Sequence, residues 1–314
     1  RSAGAIGDWS LNLGDCSLSP VLAAAALEQV RVDVQTAGGS FSYTFFGQNL
    51  GSAAGHNALA ATTAEDLLLI LNPDAQVGFD TIEVLVRRLT TGVGIVEARQ
   101  IPMEHPKDFA EGSGETSWAS TACALTPRTA FDRVGGFDAE TFFLYCDDVD
   151  YSWRLRIVGL RVVFEPAARV FHDKRLTITG DWPSSPAERY YSAEAALLLA
   201  HKYSRPDLVR SIARAFAARG GDDERRALAS YRERETQGRL PTPIDPRHTV
   251  AQFVRGHELQ RRRQQLRLDA VESRLRLVIA TQRQHELAAA VHKGHGQRRG
   301  AVRGLGLHDD VQRQ

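Results

Sequence analysis

Asp147-Asp148-Val149-Asp150 is the densest acidic cluster in the sequence, between the apolar run Phe142-Phe143-Leu144-Tyr145 and Tyr151-Ser152-Trp153-Arg154. Carboxylates crowded beside aromatic rings hold protons more tightly than in water, which is what a general base near neutral pH requires. A solvated helix start, with aspartates favoured by the positive end of the dipole, would read the same way. Leu71-Asn72-Pro73-Asp74 ends an apolar run. A carboxylate there can hold a divalent cation that also binds phosphate oxygens, since Mg²⁺ takes few protein carboxylates. An ordinary Asn-Pro-Asp turn has the same residues. His172 follows the apolar Ala168–Phe171, as a ligand or as a structural histidine. Gly135-Gly136-Phe137-Asp138 demands tight backbone geometry, in a site or in a plain turn. The small residues between Asn49 and Asn57 would let backbone approach a phosphate or sugar. They fit neither the Gly-x-Gly-x-x-Gly nor the Walker pattern, so dinucleotide and ATP-type sites are not supported. No Cys/His spacing suggests zinc, and no serine sits in a nucleophile elbow.

The elements that must position these residues alternate along the first half. Phe41–Phe46 is aromatic and alternating, a strand signal, and Gly55–Glu65 is Ala-rich and suits a helix. Leu67–Leu71 is a continuous apolar run of the kind found in strands buried on both faces. Leu160–Phe164 reads likewise, with Pro166 closing it. Strands alternating with helices predict an α/β fold with a mostly parallel sheet flanked by helices, over residues 1–180. Beyond it, helices over Ala187–Tyr203 and Asp207–Ala218 predict a helical C-terminal extension over 181–246, broken at Gly220-Gly221 and at Pro241–Pro246. Residues 247–292 are rich in Arg, Gln, Leu and Ala and suit a long amphipathic helix; 293–314, rich in Gly and Arg, read as a disordered tail. There is no internal repeat.

At 314 residues with 43% hydrophobic, 25% charged and 8% aromatic residues, the chain can bury a real core. Collagen, a disulfide scaffold and wholesale disorder are excluded. Three scattered cysteines (Cys16, Cys123, Cys146) suit a reducing compartment. No apolar run approaches the roughly 20 residues of a bilayer span. The net charge of +1 hides an asymmetry: 24 of the 39 basic residues but only 13 of the 38 acidic ones follow residue 200. An acidic body with a basic end does not describe a nucleic-acid-binding domain. Arg-rich residues 247–292 suit an anionic membrane surface or self-association equally.

The order of the motifs matters more than any one of them. Asn49-x-Gly51-x3-Gly55-x-Asn57, then Leu71-Asn72-Pro73-Asp74, then Gly135-Gly136-Phe137-Asp138, then the aromatic run into Asp147-Asp148-x-Asp150-x3-Arg154-Leu155-Arg156, then Val170-Phe171-His172, resembles the inverting nucleotide-sugar glycosyltransferases. The likeness is to the rhamnosyltransferase-like branch (family 2 type, GT-A fold) and runs from about Asp15 to Tyr203. It implies a GT-A-like domain with a nucleotide-binding first half and an acceptor-binding second half. Asp15, Asn49, Gly51, Gly55, Asn57 and Asn72 would then contact the donor nucleotide. Gly136, Asp138 and Trp118 would line the donor sugar and acceptor. Asp74 and His172 would attend a Mg²⁺ or Mn²⁺ and the diphosphate. Asp148 would be the catalytic base, with Asp147 in the acidic slot before it. The implied partners are a nucleotide-diphosphate sugar and a glycan or lipid-linked acceptor, with no nucleic acid. The implied location is cytoplasmic, peripheral at the inner face of the membrane for a lipid-linked acceptor. The alternative is a non-catalytic binding or scaffolding protein of the same fold with an incomplete donor site. It rests on the fourteen residues before Asp15, fewer than the family's first strand and helix occupy.

Overall fold

The structure is a computed structural model that describes residues 9–11, 20–105, 107–172 and 184–253. Asp15, residues 254–292 of the Arg-rich segment and the 293–314 tail lie outside the described residues. Strands β1 (Trp9–Leu11) and β2 (Phe41–Tyr43) pair in parallel on either side of helix α1 (Pro20–Thr36). Helix α2 (Gly51–Ala60) leads into β3 (Leu67–Leu71), β4 (Ala75–Val77), helix α3 (Thr81–Arg88) and β5 (Val93–Ile101). A long loop, residues 102–122, then reaches β6 (Cys123–Pro127). Helices α4 (Arg128–Arg133) and α5 (Asp147–Ile157) precede β7 (Arg161–His172). Three helices close the described chain: α6 (Pro186–Lys202), α7 (Pro206–Arg219) and α8 (Asp222–Thr236).

The main sheet has the order β3-β6-β5-β7-β4. Only β5 and β7 run parallel within it; the β3–β6, β6–β5 and β7–β4 pairs are antiparallel. The α/β class holds, but the mostly parallel sheet expected from the sequence is corrected to a mixed one. The connections explain the difference. β5 and β7 are separated by a crossover carrying α4 and α5, which parallel pairing needs, whereas β6 returns through the 102–122 loop without a helix. β3 and β4 lie at opposite ends of the order, yet only Asn72, Pro73 and Asp74 join them. In a flat sheet the outer strands would be ~19 Å apart at ~4.8 Å per spacing. Four Cα steps reach at most ~14 Å, so the sheet curls and carries Asp74 across its edge.

Two strand expectations are corrected as well. Leu67 is 41% exposed, because β3 is the edge of this sheet rather than a strand covered on both sides. Pro166 does not end β7. The register jumps from Ala98↔Glu165 to Arg99↔Arg169, so the proline falls in a bulge where its missing N–H costs no ladder bond.

Alternation along the strands divides the core. Ile95, Ala124 and Val162 face α2, α4 and α5, packing on Ala53, Phe131, Tyr151 and Leu155. Val96, Cys123, Leu125 and Val163 face the other way, onto Leu85 of α3. A third cluster joins Phe142 and Trp153 to Leu197, Leu198 and Tyr203 of the α6 region and to Leu228 and Tyr231 of α8. Helix α6 starts at a capping box, with Ser185 and Glu188 each accepting from the other's backbone N–H and Pro186 at the first helical position.

A buried ionic clasp reinforces that third cluster. Asp150, fully buried, accepts from Lys202 Nζ (2.6 Å), Arg154 Nε (2.7 Å) and Tyr203 Oη (3.1 Å). Removing one partner of a buried pair strands the others. Asp150→Ala should therefore lower unfolding free energy by about 3–5 kcal/mol, read from urea denaturation, and a loss under 1 kcal/mol would show that the clasp is dispensable.

Candidate active site

One edge of the sheet gathers most of the residues that could do chemistry. β3, β5 and β7 end there, and β6 begins there because it runs antiparallel to β3 and β5. Ligands of open α/β sheets sit at such strand ends. The Ser120–Ala122 entry to β6 ties the edge together. Asn72 N–H donates to the Ala122 carbonyl at 3.0 Å, while the backbone of Thr121 bonds the Asp148 carboxylate and that of Ser120 bonds Glu97.

Asp147 and Asp148 open α5, where orphan helix N–H groups and the dipole favour carboxylates. The residues before them, Tyr145 and Cys146, both have positive φ (67° and 56°), which turns the chain sharply into the helix. Asp147 is buried. It accepts from Ser52 Oγ at 2.7 Å and from the first backbone N–H groups of its own helix. Burial, with the adjacent Asp148 charge second, pushes its carboxyl up to about 7. Asp148 is half-buried. Its Oδ1 accepts from Val149 N–H at 2.8 Å, and burial raises its proton affinity against those hydrogen bonds and the charge of Lys107. The two titrate as a pair rather than independently.

Asp74 and His172 meet where β4 pairs with β7, since Ala75 stands opposite His172. The His172 Nε2 to Asp74 Oδ1 distance is 3.1 Å, with Asp74 54% exposed. Gln100, closing β5, turns its Nε2 toward Glu104 (3.5 Å) and its Oε1 toward His172 Nδ1 (2.9 Å). Nδ1 therefore carries a proton. Nε2 then either bears the second proton of an imidazolium or aims a lone pair at the Asp74 carboxylate, with Asn72 Nδ2 3.4 Å away. Two facing acceptors of oxygen and nitrogen type, one open to solvent, suit a divalent cation that fills its shell from a ligand. Among the described residues no group of three or more His, Cys, Asp or Glu is placed to hold a metal on its own.

Asn57, Gly136 and Asp138 come together elsewhere. Asn57 grips the glycine turn with both ends of its amide, accepting from Phe137 N–H and donating to Phe137 C=O, each at 2.8 Å. Gly136 has φ +69°, and a Cβ there would lie 2.6 Å from Asn57 Oδ1, so only glycine fits. Asp138 is engaged by Lys202 Nζ at 2.5 Å and by Thr141 N–H at 3.1 Å. All three residues adjoin or line a pocket of about 400 Å³ that also includes Arg154 and Lys202 but none of Asp74, Asp148 or His172. Helix α2 spans both groups, with Ser52 on Asp147 and Asn57 on the turn. Its Gly51 (φ +74°) lets the backbone abut Phe143, whose carbonyl would be 2.1 Å from an added Cβ. Asn49 Oδ1 accepts from Gly51 N–H, and Gly55 is buried within α2. Trp118 lies in the 102–122 loop, its ring 4.1 Å from Lys107 Nζ.

The sequence reading omitted Ser52, Gln100, Glu97 and Lys107. Ser52 lay inside the quoted Asn49–Asn57 segment. Glu97 and Gln100 are, with Arg99, the polar residues that interrupt the apolar run of β5, a signal available from pattern alone. Lys107 had no local signal, because its partners are distant in sequence or spread along a loop.

With this geometry in place, similarity to known proteins points to the glycosyltransferases. Over 87 residues, 28% of this chain and 27% of the relative, the sequence is 39% identical to an N-acetylglucosaminyl-diphospho-decaprenol L-rhamnosyltransferase of Mycobacterium tuberculosis. The rhamnosyltransferase WbbL of Escherichia coli is 33% identical over 67 residues, 21% of this chain and 25% of that protein. A pre-mycofactocin glycosyltransferase of Mycobacterium tuberculosis is 39% identical over 82 residues, 26% and 16% of the two chains. The chain thus matches about a quarter or less of the length of these relatives. No family model matches it. A mannosyltransferase of Pyrobaculum calidifontis in complex with GDP-Man and Mn²⁺ superposes at a TM-score of 0.45 and 13% identity, over 82% of this chain and 74% of that one. GalNAc-T7 with UDP, GalNAc and Mn²⁺ superposes at 0.49 and 12%, over 73% and 47%. Neither score reaches 0.5. In sequence, the matched segment is rhamnosyltransferase-like.

The burial of Asp147 carries a pH signature. An acid whose proton affinity is higher folded than unfolded contributes stability that is complete below its unfolded value, about 3.9, and is lost as pH rises through about 7. The denaturation midpoint should therefore fall between about pH 4 and about pH 7, and Asp147→Asn should flatten that fall. A variant whose slope matches the wild type would remove Asp147 as its source.

Proposed function

We propose that this chain is the catalytic part of an inverting, divalent-cation-dependent glycosyltransferase. It would move a sugar from a nucleotide-diphosphate donor to a hydroxyl of a glycan or lipid-linked acceptor. The observation that carries the reading is the shared edge. A half-buried carboxylate of raised proton affinity, Asp148, opens α5 beside the β6 entry, whose Ala122 carbonyl holds the Asn72-Pro73-Asp74 turn and so the Asp74–His172 pair. The rhamnosyltransferase-like segment supports it.

Asp148 accepts the proton of the acceptor hydroxyl as that oxygen attacks the anomeric carbon from the face opposite the diphosphate. A base of raised proton affinity takes that proton more completely than a free aspartate would. One displacement inverts the centre, so no protein nucleophile is required. Asp74 and His172 would hold the cation, which when bound neutralises charge gathering on the leaving diphosphate. Gln100 fixes the His172 ring so that Nε2 faces Asp74, a typical orienting partner. Asp147 backs the base from inside the fold, and Trp118 and the Gly136–Asp138 turn would shape the sugar subsites. Asp15, Asn49, Gly51, Gly55, Asn57 and Asn72 remain the proposed donor side. No helix of the described residues is long and apolar enough to cross a membrane. A lipid-linked acceptor would place the enzyme at a membrane's cytoplasmic face.

Asp148→Asn should cut turnover by about 10²–10⁴ while leaving calorimetric binding of a nucleoside diphosphate with Mn²⁺ intact. Near-native turnover at saturating acceptor would remove Asp148 as the base. Asp74→Ala should do the reverse, weakening Mn²⁺-dependent binding of the nucleoside diphosphate at least tenfold. Unchanged affinity with Mn²⁺ present would end the metal role.

A further inference from the structure

A neutral His172 has one ring proton and an acceptor facing each ring nitrogen. Gln100 Oε1 stands 2.9 Å from Nδ1, and Asp74 Oδ1 stands 3.1 Å from Nε2. The choice between them decides what the site can do. A proton on Nε2 satisfies the Asp74 carboxylate and leaves no lone pair there for a cation. A proton on Nδ1 leaves Nε2 bare beside Asp74. An ionised acceptor draws a donor more strongly than an amide oxygen does, so Asp74 by itself favours the first arrangement. A site that holds a cation needs the second.

Glu104, in the loop after β5, biases the choice. Its Oε2 accepts from Gln100 N–H at 2.7 Å and its Oε1 from His105 N–H at 2.6 Å. The same Oε1 lies 3.5 Å from Gln100 Nε2. A carboxylate offers only lone pairs, so the Gln100 amide turns its NH₂ to Glu104 and its oxygen to His172. That oxygen accepts and cannot donate, which places the ring proton on Nδ1. Gln100 is 2% exposed, so little water competes for either end of its amide. The loop also has an anchor other than Glu104. Lys107, three residues on, is ion-paired to the fully buried Glu97 and lies over the Trp118 ring.

We propose that Glu104 is a positioning residue for His172: acting through the Gln100 amide, it holds the ring proton on Nδ1 and the Nε2 lone pair toward Asp74 and its cation. What concerns the cation rests on the glycosyltransferase reading and deepens it; what concerns the ring does not. Replace the carboxylate by an amide, and either end of that amide can face Gln100. The Gln100 amide is then free to turn over and donate to Nδ1. The ring proton moves to Nε2, where Asp74 accepts it. A carboxylate that only fastened the loop would leave the ring proton where it was.

The test is nuclear magnetic resonance of the full chain with ¹⁵N-labelled histidine, free of metal, at about pH 9, where an ordinary histidine is neutral. The spectra distinguish a protonated ring nitrogen from a bare one, and His172→Gln identifies the ring by the signals it removes. The wild-type ring should be bare at Nε2, and Glu104→Gln should move the proton to Nε2 in a measurable fraction of molecules. A wild-type ring bare at Nδ1 or protonated on both nitrogens overturns the proposal, as does a Glu104→Gln ring identical to the wild type. Calorimetry of Mn²⁺–pyrophosphate binding reads the consequence. Glu104→Gln should weaken it about tenfold and add nothing to the loss already caused by Gln100→Met. Losses that add show Glu104 acting other than through Gln100, and overturn the proposal. If Glu104→Gln does not fold by circular dichroism, Glu104→Asp, which draws the carboxylate back from Gln100, is read by the same criteria. Failure of the metal reading would show separately, as Mn²⁺–pyrophosphate binding absent from the wild type or unchanged in Asp74→Ala while the ring spectra come out as expected.

Discussion

Helix α5 is packed on nearly every side, and that single constraint organises the rest. Tyr151 and Leu155 face the sheet, Trp153 faces α6 and α8, and no broad solvent face is left on which charges can be placed cheaply. Yet its sequence carries three aspartates and two arginines within eleven residues. Burying them unpaired would cost several kcal/mol each, so every one is met by name. Asp147 meets Ser52, Asp148 meets the backbone of Thr121, Asp150 meets Lys202, Arg154 and Tyr203, and Arg156 meets the Val250 carbonyl. The helical extension is thereby bound to the sheet domain through charge as well as apolar contact, and α6 helps hold the helix that bears the proposed base.

The sheet supplies the other half of the arrangement. A wholly parallel sheet would bring only strand ends and helix starts to the ligand edge. The antiparallel β6 brings a strand beginning there, and with it the N–H and C=O groups of Ser120, Thr121 and Ala122. Those peptides connect three things that share no local sequence: the Asn72-Pro73-Asp74 turn, the Glu97–Lys107 pair and α5. Curling of the sheet between β3 and β4 completes the edge by bringing Asp74 beside His172.

Much of this was legible in the residues. Leu67–Leu71 matched β3 residue for residue, and α6 and α7 began and ended within about a residue of their expected limits, because a capping box, an N-terminal proline and a glycine pair mark their ends. Asp74 with His172, and Asp147 with Asp148, stood out by type and by position after apolar runs. Strand direction was not legible, since apolar periodicity carries no sign and a loop such as 102–122 leaves no local trace of which way the chain returns. Pro166 misled because a bulge three residues long restores pairing beyond it. Asn57 and Gly136 read as ligand-side residues. Their mutual contact, 80 residues apart for Asn57 and Phe137, is a tertiary fact that no single-sequence pattern contains.

The adjacent aspartates divide one task through unequal solvation. Both cannot be charged side by side in a poorly solvated pocket without cost, so one proton belongs to the pair near neutrality. Asp147 is the buried member, and burial places its affinity near 7. Its partner Ser52 is a hydroxyl, which donates to a carboxylate and accepts from a carboxylic acid by rotating about one bond. Asp147 can therefore gain or lose the proton without leaving an orphaned polar atom. Asp148 has fixed backbone donors in Val149 and Thr121 and the field of Lys107, all of which favour the charged form, and it is the member open to solvent. Burial raises the proton affinity of both carboxyls, so the pair shares its proton between a rotating hydroxyl on one side and fixed donors on the other.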